Sequence, residues 1–96
     1  MIQYVIIAKD GTDEGAHDRR MEVRPSHLEG LKVLKASNNF ISGGATLDEN
    51  GKMNGSVMII QFETQDEFDA WYKTEPYITQ KVWQDVHVRP FRVAMV

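Results

Sequence analysis

Two stretches of this chain are apolar on both of their alternating faces, and no other feature restricts its fold so much. Residues Ile2–Ala8 read IQYVIIA, β-branched and aromatic with only Gln3 polar. Residues Ser56–Glu63 read SVMIIQFE, with Val57, Ile59 and Gln61 on one face and Met58, Ile60 and Phe62 on the other. Strands of this kind belong in the middle of a sheet that is covered on both sides.

The segments around them supply the rest of the sheet and only part of its cover. After a polar loop, KDGTDEGAHD, RRMEVR reads as a helical turn leading into the main helix, which Pro25 either interrupts or restarts as a fresh first turn, where its missing N–H costs nothing. The spacing then predicts a helix to about Ser37, with Leu28, Leu31 and Leu34 on one face and His27 within that face. Phe40–Leu47 reads as a short second strand weakened by Gly43 and Gly44, and Asn50-Gly51 favours a hairpin turn after it. Thr64 followed by Glu67 is a capping box, and Phe68, Trp71 and Tyr72 then share one side of a second helix that Pro76 breaks. The last segment, VWQDVHVRPFRVAMV, is strand-rich, and its Pro90 fits an edge rather than a centre.

The order β-α-β-β-α-β, with short connections and right-handed crossovers, predicts an α+β ferredoxin-like antiparallel sheet of order 4-1-3-2 over one domain, residues 1–96. In that order strands one and three are central, and these are the two doubly apolar ones. Strands two and four are edges, where the glycines and the proline fall. Two helices cover one face of the sheet; the other face is apolar too. A chain of 96 residues hides a small core, about 60–65% of its unfolded surface. The economical cover is therefore a second copy, a homodimer packed sheet to sheet.

Charge and composition exclude several kinds of partner. The net charge of −3 gives no basic field for phosphates, so no nucleic-acid binding is expected. The absence of cysteine removes disulfides, thiolate catalysis and cysteine–zinc sites. The start MIQYVIIAKD lacks a basic segment followed by a long apolar run, and no run reaches membrane-spanning length, so a cytoplasmic protein without a membrane role is expected. His17, His27 and His87 show no metal-ligand spacing on one element, and no metal or cofactor is expected. Gly43-Gly44 is no phosphate loop, lacking the lysine and the strand-to-helix setting; backbone closeness or a bulge explains it better.

His27 and Glu75 are the titratable groups in unusual settings. A histidine in an apolar stripe is either packing or a tuned acid–base group, and composition and spacing lean to packing. Glu75 is held before a proline, with a restricted backbone. If the two helices run antiparallel, it meets His27, fixing one ring nitrogen and leaving the other free for proton transfer. Arg19 and Arg20 read as a solvated basic turn. Arg24, nearer His27 in any helical register, is the better anion-binding candidate.

Three segments, RRMEVRPSHLEGLKVL, ISGGATLDENGKMNGSVMII and EPYITQKVWQDVHVRPF, resemble in that order the YCII-related proteins, over nearly the whole chain. The resemblance implies a ferredoxin-like fold assembled as a dimeric α+β barrel. It implies a catalytic pair of His27 and Glu75, with Arg24 at the family's arginine and Gly43-Gly44 at its glycine pair. Glu75 stands where the family has aspartate, one methylene longer, and Ala45 where a proline is common. The activity implied is cofactor-free general acid/base chemistry, elimination or isomerisation of a small cyclic or aromatic metabolite. Dehydrochlorination of a chlorinated hydroxyquinol is one chemistry associated with the family. Arg24 or Tyr77 would bind a polar group of the substrate. The alternatives are a small-molecule-binding or regulatory dimer without turnover, and a structural dimer in which His27 and Glu75 merely satisfy each other.

Overall fold

A computed structural model describes residues 1–96. Its elements are β1 (Ile2–Asp10), α1 (Ala16–Ala36), β2 (Phe40–Leu47), β3 (Met53–Phe62), α2 (Gln65–Tyr72), α3 (Pro76–Thr79) and β4 (Trp83–Phe91). The four strands form one antiparallel sheet in the order β2-β3-β1-β4, the ferredoxin-like arrangement expected from the patterning. The doubly apolar strands β1 and β3 lie at its centre. No helix is long and apolar enough to cross a membrane.

Register decides which face each side chain takes. Tyr4, Ile6 and Ala8 pair with Ile60, Met58 and Ser56; with Phe62, all of these are buried beneath the helices. The intervening row, Val5 and Ile7 beside Ile59 and Val57, forms the opposite face. That face has no cover within the chain: Ile7 is 44% exposed, against 0% for its neighbour Ile6.

The first helix departs from the sequence expectation. It opens at Ala16 and runs through Pro25 without a break, instead of being interrupted or restarted at the proline. A proline inside a helix cannot donate to the carbonyl four residues back, here Met21. Met21 and Pro25 are both exposed, so water can take over that bond. The longer helix also relocates the buried stripe. Its most buried members are Ala16, Arg20, His27 and Leu34, with Leu28 and Leu31 at the margin. Arg20, expected in a solvated turn, is only 2% exposed. It lies two helical turns before His27 on the same face.

The second helix is capped by the Thr64 hydroxyl, which accepts from the Glu67 amide at 3.2 Å. Phe68 stacks on Tyr4 with ring centroids 4.3 Å apart, fixing α2 to the sheet. The helix ends at Tyr72, before the chain reaches Pro76, so the proline does not break it but opens α3, with Glu75 as its N-cap. Pro90 lies in edge strand β4, opposite Tyr4.

Candidate functional site

Glu75 has its place set by the backbone on either side. The following proline keeps it extended, at φ −61° and ψ 119°. Its carboxylate turns back over the start of α3, where Oε1 accepts from the Tyr77 amide at 3.1 Å. The same oxygen lies 2.5 Å from Nδ1 of His27 on α1. The histidine side chain is 7% exposed and the glutamate side chain 1%, so this pair is cut off from bulk water.

An ionised carboxylate only accepts, so Nδ1 carries a hydrogen, and in a neutral ring the lone pair is then on Nε2. The ring is held on other sides as well. It stacks on Tyr77 at 3.9 Å between centroids and 12° between planes. Trp83 meets it edge-on at 6.0 Å. Nε2 makes no hydrogen bond within the chain, and His27 lines a cavity of about 180 Å³ between α1 and the β2–β3 edge.

The other residues singled out from the sequence border that cavity: Arg24, Gly43, Gly44 and Tyr77. Arg24 forms no ion pair with any carboxylate of the chain. The two glycines serve different ends. A Cβ on Gly43 would stand 2.9 Å from the Val57 carbonyl oxygen, so only glycine lets β2 lie this close to β3. A Cβ on Gly44 would meet nothing within 4 Å. Burial raises the Tyr77 phenol above its ordinary value, prevailing over the opposing pull of Arg20 and Arg24.

Four residues not proposed as site residues from the sequence form a second buried cluster, and two of them, Arg20 and Ser56, line the same cavity. Arg20 Nη1 donates to both oxygens of Asp10, at 2.8 and 3.0 Å, and its Nη2 donates to Ser56 Oγ at 2.8 Å. Trp83 Nε1 donates to the same hydroxyl oxygen at 3.1 Å. The Arg20 guanidinium carbon sits 4.7 Å from the Tyr77 ring centroid, within cation–π range. Desolvation holds the Asp10 carboxyl above its usual value, outweighing the opposite effect of Arg20. A signal for two of the four was present: Asp10 continues the inward alternation of Tyr4, Ile6 and Ala8, and Ser56 begins that of Met58, Ile60 and Phe62.

The remaining histidines lie elsewhere. His17, on the first turn of α1, has Nδ1 3.4 Å from the Met53 carbonyl oxygen. His87 is exposed on β4, 3.2 Å from Asp85. No three histidine or carboxylate side chains gather as metal ligands would. A separate hollow of about 280 Å³ lies along β2 and β3 on the open sheet face and contains no titratable group.

Comparison with known proteins gives this constellation a context. The sequence profile of the YCII-related domain matches residues 2–92. Protein YciI of Escherichia coli is 33% identical over 95 residues, covering 93% of this chain and 95% of its own. Among solved structures, 5-chloro-2-hydroxyhydroquinone dehydrochlorinase from Burkholderia phenoliruptrix, in complex with 2,5-dihydroxybenzoquinone, superposes with a TM-score of 0.80. It is 25% identical, and the match covers 96% of this chain and 95% of that one. A dimeric ferredoxin-like protein of unknown function from Jannaschia superposes with a TM-score of 0.56 at 16% identity, over 97% of this chain and all of that one, a likeness of fold.

Proposed function

The chain belongs to the YCII-related family, and from that premise we propose that it is a cofactor-free enzyme of small oxygenated rings, with His27 as its general acid/base. One observation carries the reading. A buried histidine has Nδ1 committed to Glu75 while Nε2 is unbonded at a cavity of about 180 Å³. An interior cavity of about 150 Å³ is enough for a benzene ring. The named activity and bound quinone of the Burkholderia enzyme favour the same ligand class.

In this mechanism Glu75 fixes the tautomer and stabilises the imidazolium that forms when Nε2 takes a proton from the ring. If a leaving group departs with its bonding electrons in the same step, the reaction is an elimination. If Nε2 returns the proton to another atom of the ring, it is an isomerisation. Arg24, unpaired at the cavity, supports negative charge on a ring oxygen.

The test is release of chloride from chlorinated trihydroxybenzenes, followed with a chloride electrode. His27→Ala should lower turnover by about 10²–10⁴-fold. Turnover that survives this substitution overturns the assignment, and tight binding without turnover by the unaltered protein identifies a binding module instead.

We also propose that a second copy covers the open face. Val5, Ile7, Val57 and Ile59 form its apolar centre on β1 and β3, and an uncovered apolar sheet face is characteristic of an interface. Light scattering at micromolar concentration should give twice the chain mass, and Ile59→Lys should halve it. A monomeric mass for the unaltered protein refutes the pairing.

A further inference from the structure

The Ser56 hydroxyl is in an uncommon position. Its oxygen receives one hydrogen bond from Arg20 Nη2 and another from Trp83 Nε1, at 2.8 and 3.1 Å. Guanidinium and indole nitrogens can only donate, so the serine oxygen has no choice but to accept both. A hydroxyl has two lone pairs and one hydrogen. With both lone pairs engaged, the hydrogen must point away from both donors. No acceptor for it lies within hydrogen-bonding distance in the chain. Ser56 is 2% exposed, and the surface it retains belongs to the cavity wall shared with His27 and Tyr77.

We infer that Ser56 donates this hydrogen to an oxygen of the ligand in that cavity, so that the site selects small rings bearing a carbonyl or anionic oxygen. This rests on the function proposed above and adds the recognition element to it. Two features make the donor strong. The bond received from the Arg20 guanidinium polarises the hydroxyl, since hydrogen bonds in a chain reinforce one another in a low-dielectric interior. The direction is also set before any ligand arrives, because the rotor is fixed from the side of the protein. A ligand without an oxygen there leaves a buried hydroxyl hydrogen unbonded, and a site built to bond such an oxygen discriminates strongly against the analogue that lacks it.

The probe is 2,5-dihydroxybenzoquinone, titrated calorimetrically against the unaltered protein, Ser56→Ala, Ser56→Thr and His27→Ala. Ser56→Ala should bind about ten- to a hundredfold more weakly, the loss of one charge-assisted hydrogen bond. Ser56→Thr keeps the hydroxyl and should bind nearly as the unaltered protein does. The ¹⁵N tautomer pattern of His27 should be the same in all variants that retain it, which a merely collapsed site would not give. If Ser56→Ala does not fold, Ser56→Cys carries the test: its sulfur keeps the site filled while donating poorly, and weakened binding is again expected. Equal affinity of the folded Ser56 variant and the unaltered protein overturns the inference, and if His27→Ala still abolishes turnover the proposed function survives it. Failure of the unaltered protein to bind the quinone overturns both.

Discussion

The Arg20–Asp10 pair and the His27–Glu75 pair are both buried, both join α1 to another element, and both lie against Tyr77, yet they differ in what they leave open. Arg20 is engaged by two carboxylate oxygens and a serine hydroxyl, and only its Nε lacks an acceptor. His27 has one nitrogen committed and the other unbonded beside a cavity. Burial of charge is common to a brace and to an active group. Bonding capacity left open toward a space that fits a molecule separates them.

That contrast can be broken by experiment, and the largest effect should come from the brace. Arg20→Met leaves Asp10 buried without its counter-charge, and breaking such a pair destabilises by about 3–5 kcal/mol. Urea unfolding measures this; a loss below about 1 kcal/mol would mean that the pair is no brace. Glu75→Gln should behave in the opposite way. The amide oxygen can still accept from His27 and the Tyr77 amide, so stability should change by about 1 kcal/mol. Turnover should fall by about a hundredfold, because a neutral amide does not stabilise an imidazolium. A variant that loses stability and activity in proportion would erase the distinction between the pairs.

Smaller effects sharpen it. Since burial raises the Asp10 carboxyl above its ordinary value of 3.8, the folded chain takes up that proton more readily than the unfolded one. Its contribution to stability is therefore full below the ordinary value and is lost as pH rises through the raised one. The unaltered protein should gain on Asp10→Asn as pH falls into that window, read from urea midpoints at successive pH values. A difference that instead shrinks as pH falls would show that the ion pair with Arg20 outweighs desolvation. The last is a contrast within the cavity wall, between two neighbouring glycines. Gly43→Ala forces a methyl against the Val57 carbonyl oxygen and should destabilise by about 1–3 kcal/mol. Gly44→Ala, facing open space, should stay within about 0.5 kcal/mol. Thermal melts of the two variants compare them directly.

The strand order was legible because the central strands must be apolar on both faces and the edge strands need not be; Pro90 and the glycine pair fell on the edges accordingly. The join between His27 and Glu75 was suggested by the antiparallel helices and by the family resemblance, although neither the spacing nor the composition required it. The brace was hidden for two reasons. Pro25 looked like a break or a fresh start, which left Arg20 outside the main helix, whereas an exposed proline can sit inside a helix whose opposite face is well packed. An arginine is also a poor sign of burial until its carboxylate is located, and Asp10 comes from a different element. Ser56 was missed because its importance lies in the two donors aimed at it, which come from residues 36 positions before and 27 after.

Glu75 uses a single oxygen both to cap a four-residue helix and to hold the imidazole. The site can therefore exist only while that one turn is wound. A helix so short has no stability of its own, and its opening is a local event separate from global unfolding. The Tyr77 amide proton, bonded to the same oxygen, exchanges with solvent deuterium only when the turn opens. Its protection factor thus reports, in the resting protein and without any substrate, the fraction of time for which the histidine is held in its working orientation.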